Sequence, residues 1–126
     1  MNVPENLMYT NDHEWVLLDG SKGKIGITDY AQDALGDVVF VDTPSLGELV
    51  ASGQTVSEVE STKSVSDIYA PLAGKIIDIN AELDDSPELL NDDPYGDGWI
   101  FVIEFNDATA VQDLLSPQKY RELIEG

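Results

Sequence analysis

The sequence predicts a mainly β protein, a β sandwich or flattened barrel with short helices and a C-terminal helical segment. Short β-prone runs recur along the chain and are separated by Gly, Pro, Asp and Ser, as in sandwiches and barrels. Helical spacing is confined to small insertions and to the residues after about 106. With 126 residues, 42% of them hydrophobic, the chain is long enough for one domain with a real core, and we expect that domain to span 1–126.

The N-terminal part predicts a hairpin, a short helix and a strand. Asp19-Gly20 between two β-prone runs is a hairpin signal. Thr28 can cap the helix and Gly36 can end it. The predicted elements are a strand at 13–18, a turn at 19–23, a strand at 24–27, a helix at 29–35, a strand at 38–41 and an edge strand or loop at 46–51.

The middle of the chain predicts a second hairpin, over 56–69. If Thr62 and Lys63 are the central turn residues, Lys63 projects from the tip and Ser61 faces Ser64. The same register sets Glu60 opposite Val65, Glu58 opposite Asp67 and Val56 opposite Tyr69. Like charges directly opposite each other weaken a strand pair, so an acidic patch would lie below the lysine.

The C-terminal part predicts two more strands and a helical tail. The run 99–105 is the most apolar in the chain, and we expect it at the centre of the core. In the last helix Tyr120, Leu123 and Ile124 share a face. The predicted elements are a strand at 75–80, a short helix begun by Ser86 as N-cap and Pro87, the strand at 99–105, a helix from 107 and a helix restarted at 117.

Charge and composition exclude several functions. Twenty-five acidic against six basic residues give a net charge of −19, which argues against binding nucleic acid or anionic membranes. The acidic surface serves solubility or attracts basic patches on partner proteins. No run approaches the roughly 20 apolar residues of a membrane span. Because the N-terminus has neither a signal peptide nor an Arg-rich transit sequence, we expect a cytoplasmic (bacterial) protein, or a mitochondrial one only after removal of a transit peptide.

Few residues could perform catalysis. There is no cysteine, and His13 is the only histidine. The chain therefore has few side chains that could bind a metal or form a nucleophile–base pair, and we expect no bound metal. No phosphate-binding glycine loop is present. Lys63 remains, either as an ordinary exposed lysine or as a site of covalent modification presented on a hairpin tip.

The residues around Lys63 resemble the lipoylation segment of the glycine cleavage system H protein family. Other segments resemble the same family in the same order, so the resemblance covers roughly residues 7 to 124. The matching segments are 13–15, 25–32, 35–41, 59–71, 85–89 and 93–99. Biotinyl domains, by contrast, have Met-Lys-Met, whereas Thr62 and Ser64 flank the lysine here.

The resemblance implies a lipoyl/biotinyl-domain-like fold with lipoic acid joined by an amide to Lys63. It implies a lipoyl-binding core at about 20–105 and a helical tail at 106–126. Further site residues are implied by position, some for recognition or for a cleft that receives the loaded arm. These are Glu60, Ser64 and Asp67 for recognition or the cleft, and Glu14 and Asp12 for the cleft. Asp12 departs from the family, where Ser is frequent, and Thr62 stands where Val is frequent.

The implied function is that of a carrier, not an enzyme. Such a protein takes an aminomethyl group from glycine decarboxylase (P protein) to the tetrahydrofolate-dependent aminomethyltransferase (T protein), and dihydrolipoyl dehydrogenase (L protein) then reoxidises it. A lipoyl ligase or transferase would attach the cofactor, and we expect a monomer. Two alternatives stay open: a relay donor that passes lipoyl groups to other lipoyl domains, and a non-covalent acidic adaptor.

Overall fold

The computed structural model describes residues 1–125 and confirms the mainly β prediction. Over these residues two antiparallel sheets form a flattened sandwich rather than a closed barrel. The strands are β1 (Met8–Tyr9), β2 (Glu14–Asp19), β3 (Lys22–Ile27), β4 (Val38–Asp42), β5 (Leu49–Val50), β6 (Thr55–Ser61), β7 (Val65–Tyr69), β8 (Gly74–Ile79) and β9 (Phe101–Glu104). The helices are α1 (Asp29–Leu35), α2 (Leu89–Asp92), α3 (Pro117–Glu125) and two 3₁₀ helices, Ala81–Asp84 and Ala108–Asp113.

The larger sheet has the strand order β1-β2-β3-β9-β8-β5, and the smaller one has the order β4-β6-β7. The apolar run predicted as the centre of the core supplies β9, which pairs with β3 and β8 in the middle of the larger sheet. Phe101 and Ile103 are fully buried there. Burying side chains of this size contributes about 1.5–3 kcal/mol each, so β9 anchors the sandwich.

A second apolar cluster attaches the C-terminal helix to the sheet edge. Tyr9 and Tyr120 stack with ring centroids 4.6 Å apart, and both are fully buried with Trp15. The indole N–H of Trp15 donates a hydrogen bond to the carbonyl of Pro94 at 2.8 Å, which satisfies the one polar group of that side chain. This cluster fixes the chain segment that leads into β2.

The helix at 29–35 is confirmed with its predicted ends. The Thr28 side chain accepts a hydrogen bond from the Ala31 backbone N–H, and the Gly36 N–H donates to the Gln32 carbonyl. Gly36 has φ +81°, a conformation that favours glycine. Helix α1 therefore ends at Leu35, and the short loop beside the lysine hairpin leads from it into β4.

Several predicted boundaries were wrong. The first hairpin turn is shorter, with only Gly20 and Ser21 between β2 and β3. Helix α2 begins at Leu89 and not after Ser86, because the N–H groups of Leu89 and Leu90 bond only three residues back and no side chain caps the helix. Residues 108–113 are 3₁₀, since the chain must turn at once to pair Leu115 with Tyr9.

The prediction for the face of the last helix is only partly right. Tyr120 is buried, but Leu123 is 43% exposed, because the helix packs on the sheet edge along one narrow stripe. Two short elements, β1 and the 3₁₀ helix at 81–84, were not predicted. Within residues 1–125, none of the helices has the length and apolar character needed to span a membrane.

Candidate functional site

The lysine hairpin is formed by β6 and β7, and most of its predicted register is confirmed. Glu60 pairs with Val65 and Glu58 with Asp67, while the Ser61 N–H donates to the Ser64 carbonyl at 2.8 Å. The predicted pairing of Val56 with Tyr69 is wrong, because a register shift puts Thr55 opposite Tyr69. Such a bulge adds one residue to one strand and leaves the tip unchanged.

The tip is held by hydrogen bonds from its backbone N–H groups, and Lys63 projects from it. The Ser61 hydroxyl oxygen accepts from the N–H groups of Lys63 at 3.3 Å and Ser64 at 3.0 Å. The Thr62 N–H donates to the carbonyl of Asp37 at 3.0 Å, which ties the tip to the loop after α1. Lys63 is exposed, and among residues 1–125 no carboxylate lies within 4.0 Å of its amine.

The predicted acidic patch lies on the outer face of the smaller sheet. Glu58 stands opposite Asp67 on one side and opposite Asp42 on the other, so three carboxylates form a row across the three strands. All three side chains are exposed. Glu60, in the neighbouring row, is half-buried. The structure therefore brings Glu60 and Asp67 near the lysine on the same two strands.

A cleft of about 260 Å³ opens between α1 and β7. Its walls combine apolar side chains with a few polar ones, and two of its residues, Ser64 and Val65, directly follow Lys63. We call it the α1–β7 cleft. It is lined by Asp12, His13, Ile27, Tyr30, Ala31, Ala34, Leu35, Ser64, Val65, Ser66 and Ile68.

A second cavity, of about 190 Å³, contains Glu14. We call it the Glu14 cavity. Asp12 lines both this cavity and the α1–β7 cleft, so the two are neighbours. Of the predicted site residues, Ser64 and Asp12 line the α1–β7 cleft and Asp12 and Glu14 line the Glu14 cavity, whereas Glu60 and Asp67 line neither.

Glu14 is a buried carboxyl, only 1% exposed. Its oxygens accept hydrogen bonds from the Tyr69 N–H at 2.7 Å and the Thr10 hydroxyl at 3.1 Å. Burial raises the pKa of Glu14 to about 8, although these two hydrogen bonds oppose the shift. A cation brought beside Glu14 would favour its ionised form.

His13 and Tyr30 also line the α1–β7 cleft, although neither was predicted as a cleft residue. His13 has a positive φ of 66°, unusual for a residue other than glycine. Its Nδ1 lies 2.9 Å from the Tyr120 hydroxyl, and its ring is tilted by 31° against that of Tyr30, with the centroids 4.6 Å apart. Burial lowers the pKa of His13. The spacing of Tyr30, Ala31 and Ala34 on one face of α1 is the one signal that could have indicated the cleft wall.

The described residues offer no metal centre: within 1–125 no group of three or more His, Asp or Glu side chains could hold an ion. Lys63 itself lies at the hairpin tip, with the acidic row on the smaller sheet on one side and the α1–β7 cleft beginning at the next residue on the other. Such an arrangement suits a covalently attached arm that can move over the surface.

Residues 7–126 match the family model described as Glycine cleavage H-protein. The chain belongs to this family. The glycine cleavage system H protein of Bacteroides thetaiotaomicron is 48% identical over 126 residues and covers 100% of both chains. That of Thermus thermophilus is 50% identical over 125 residues, which are 99% of this chain and 98% of the relative.

A solved structure agrees with the fold. The crystal structure of a glycine cleavage system H protein from Mycobacterium marinum has a TM-score of 0.86 at 37% identity, covering 98% of this chain and 100% of that one. The fold predicted from the resemblance is confirmed. Family membership also confirms the predicted function, a lipoylated shuttle of glycine cleavage, and makes the chain a carrier component and not a catalyst.

Proposed function

We propose that Lys63 is the residue that carries lipoic acid. A lipoyl ligase or transferase would supply an activated lipoyl group, and the Lys63 amine would displace the activating group to form an amide. The observation that carries the proposal is an exposed amine, with no carboxylate within 4.0 Å among the described residues, at the tip of a hairpin whose backbone is held by Ser61 and Asp37. A modifying enzyme can reach an exposed lysine amine whose backbone is held in one position.

The group would fit the surface beside Lys63. The α1–β7 cleft begins at Ser64 and Val65, and its wall includes the apolar side chains of Ile27 and Leu35. When bound, lipoic acid would supply a disulfide that can be reduced, one of whose sulfurs accepts the aminomethyl group while the other becomes a thiol; this cysteine-free chain has no sulfur pair of its own for that chemistry. The apolar wall would shelter the arm, and Asp12 would guide its polar end toward Glu14.

We further propose three partner enzymes in sequence: glycine decarboxylase, the tetrahydrofolate-dependent aminomethyltransferase and dihydrolipoyl dehydrogenase. Tethering keeps the reactive end at high local concentration at each of their sites. The acidic row of Asp42, Glu58 and Asp67 would contribute to association with basic surfaces on these enzymes. The proposal places the protein in the cytoplasm with them.

Intact mass measurement and peptide mapping test the attachment site. After incubation with lipoate, ATP and a lipoyl ligase, the protein should gain one lipoyl mass, located on Lys63. Lys75 is a matched internal control, because it is also exposed but lies on a flat sheet position in β8. A protein that stays unmodified, or one modified on Lys75, contradicts the proposal, and the first result favours the adaptor alternative.

Glu14 is proposed to hold the amine of the loaded arm. The Glu14→Gln variant keeps the size of the side chain and its hydrogen-bond acceptor but cannot become negative. We expect the aminomethyl group to be lost faster from the loaded variant than from the wild type, as measured by timed mass spectrometry. An unchanged lifetime would show that the Glu14 cavity does not protect the amine.

A lipoyl-transfer assay distinguishes the relay alternative. The lipoylated protein is incubated with a second, unmodified lipoyl domain and a lipoyl transferase, and the acceptor's mass is followed. Transfer without support of glycine oxidation by the three enzymes would point to the relay function. Support of glycine oxidation is the result expected for the shuttle.

A further inference from the structure

Gly36 supports the side chain of Lys63. A Cβ atom built on Gly36 would lie 3.0 Å from Lys63 Cε, 3.7 Å from Cδ and 3.6 Å from Nζ. The exposed lysine is therefore not extended into solvent along its whole length, because its outer carbons rest on the bare backbone of this glycine. Any side chain at position 36 would push them away.

The backbone under Lys63 is fixed from two sides. The Asn91 side chain, on α2, donates to the Gly36 carbonyl at 2.8 Å and accepts from the Val38 N–H at 2.8 Å. Between these two residues, the Asp37 carbonyl accepts from the Thr62 N–H at the hairpin tip. Asn91 thus fixes the segment that contains Gly36, on which the Lys63 side chain lies, and Asp37, which binds the hairpin tip.

The position of Gly36 also determines where an arm would leave the surface. Gly36 directly follows Leu35, and Lys63 directly precedes Ser64, and both Leu35 and Ser64 line the α1–β7 cleft. A lysine stem lying on Gly36 is therefore at the margin of the cleft. If the Lys63 side chain were displaced from Gly36, an arm attached to it would leave the surface in a different direction.

We propose that Gly36 is the seat of the Lys63 side chain and that Asn91 is a positioning residue that holds this seat. The seat directs whatever is attached to Lys63 toward the α1–β7 cleft. This inference rests on the proposed function, since it gives the attached arm its starting direction. The absence of a side chain at position 36 is thus required for the arm as well as for the end of α1.

The contact is tested first in the unmodified protein. Nuclear Overhauser effects should connect the Gly36 Hα protons with the Lys63 Hε protons, and the Lys63 Cε should be more ordered than the Cε of Lys75. Replacing Asn91 by Ala should lower the order of Lys63 toward that of Lys75 while Lys75 itself stays unchanged. Equal order at both lysines in the wild type, with no Overhauser effect, would overturn the seat.

The second test uses Gly36→Ala with Gly47→Ala as the matched control. Both glycines have positive φ, +81° and +84°, but nothing lies within 4 Å of a Cβ built on Gly47. Both variants bear backbone strain, and only the first meets Lys63. The measurements are Lys63 order in the unmodified protein and the lifetime of the aminomethyl group in the loaded protein, at a temperature where both variants are folded.

We expect the lifetime to shorten about two- to tenfold in Gly36→Ala relative to Gly47→Ala, the factor that one off-rotamer torsion represents. Lys63 order should fall in the same variant. Equal lifetimes and equal Lys63 order in the two variants would overturn the inference. If wild-type Lys63 takes no lipoyl group, the proposed function fails, whereas the Overhauser measurement still decides whether the seat exists.

Discussion

Lys63, beside the α1–β7 cleft, and Glu14, in the neighbouring Glu14 cavity, have opposite environments. Lys63 is exposed, with no carboxylate partner within 4.0 Å among residues 1–125. Glu14 is 1% exposed and bound through both oxygens to Tyr69 and Thr10. The Lys63 amine is open to solvent, whereas the Glu14 carboxyl is packed inside the fold.

Under the function proposed above, this contrast separates the site of attachment, Lys63, from the site that would shelter the amine of the loaded arm, Glu14. A modification site must be reached by an enzyme, so it contributes few contacts. A site that shelters a cation must exclude water, so its carboxyl is desolvated and its pKa rises. Variants at Lys63 should affect lipoylation without changing stability, and variants at Glu14 should affect stability and the lifetime of the aminomethyl group without changing lipoylation.

The largest effect is expected at Lys63. Lys63→Arg keeps the charge but removes the amine that forms the amide, so lipoylation and support of glycine oxidation should be lost completely. The free energy of unfolding should change by less than about 0.5 kcal/mol, as for other surface substitutions. Intact mass, coupled glycine oxidation and urea unfolding measure the three quantities. A variant that is still lipoylated would show that Lys63 is not the attachment site. A strongly destabilised variant would show that the Lys63 side chain contributes to the fold.

The next effect is the pH dependence caused by Glu14. Its pKa in the folded protein, about 8, lies above the ordinary 4.5, so the folded state binds one more proton between these values. The stabilisation from protonated Glu14 is therefore present below pH 4.5 and is lost as the pH rises toward 8. The slope is at most about 1.4 kcal/mol per pH unit.

Urea unfolding at several pH values, compared with Glu14→Gln, isolates this contribution. Both proteins share the repulsion among their other acidic residues, so the difference between them reports Glu14. The difference should grow as the pH rises from 5 to 8 in favour of the variant. Parallel curves would mean that Glu14 has an ordinary pKa.

The sequence predicts the surroundings of Lys63 better than those of Glu14, for a physical reason. A hairpin tip is determined by local residues, and the pairing of Glu58 with Asp67 follows from counting outward from the turn. The ends of α1 are also local, since Thr28 and Gly36 satisfy its terminal backbone groups. These features did not depend on the rest of the chain.

The surroundings of Glu14 depend on contacts between distant segments. In β2, Glu14, Trp15 and Val16 are all buried, so strand alternation does not reveal that Glu14 points inward. Its hydrogen-bond partner Tyr69 is far along the chain. The preceding residue, His13, has a positive φ that no residue pattern indicates. Only the resemblance to a family suggested Glu14 and Asp12.

A moderate effect is expected from removing the support of Glu14. The Thr10 hydroxyl donates to the Glu14 carboxyl and accepts from the backbone N–H groups of Asp12 and Glu14. Thr10→Val should lower the free energy of unfolding by about 0.5–1.5 kcal/mol and raise the pKa of Glu14 further. Thr55→Val, at an exposed strand position, is the control. The rate of lipoylation at Lys63 should be unchanged. A slower rate in Thr10→Val would mean that the surroundings of Glu14 influence Lys63.

The smallest effect is expected beside the lysine, in the acidic row. Asp67 faces Glu58 across the hairpin, and both are exposed, so Asp67→Asn should raise the free energy of unfolding by a few tenths of a kcal/mol. The gain should shrink with added salt, because screening already weakens the repulsion.

Glu104→Gln is the matched control with the opposite sign, because Glu104 lies opposite Lys22 and Lys75. That change should cost a few tenths of a kcal/mol, again less in salt. Urea unfolding at low and high salt measures both variants. If Asp67→Asn destabilises the protein, the Asp67 carboxylate makes a favourable contact that outweighs its repulsion with Glu58. The surroundings of Lys63 would then contribute to the fold as those of Glu14 do.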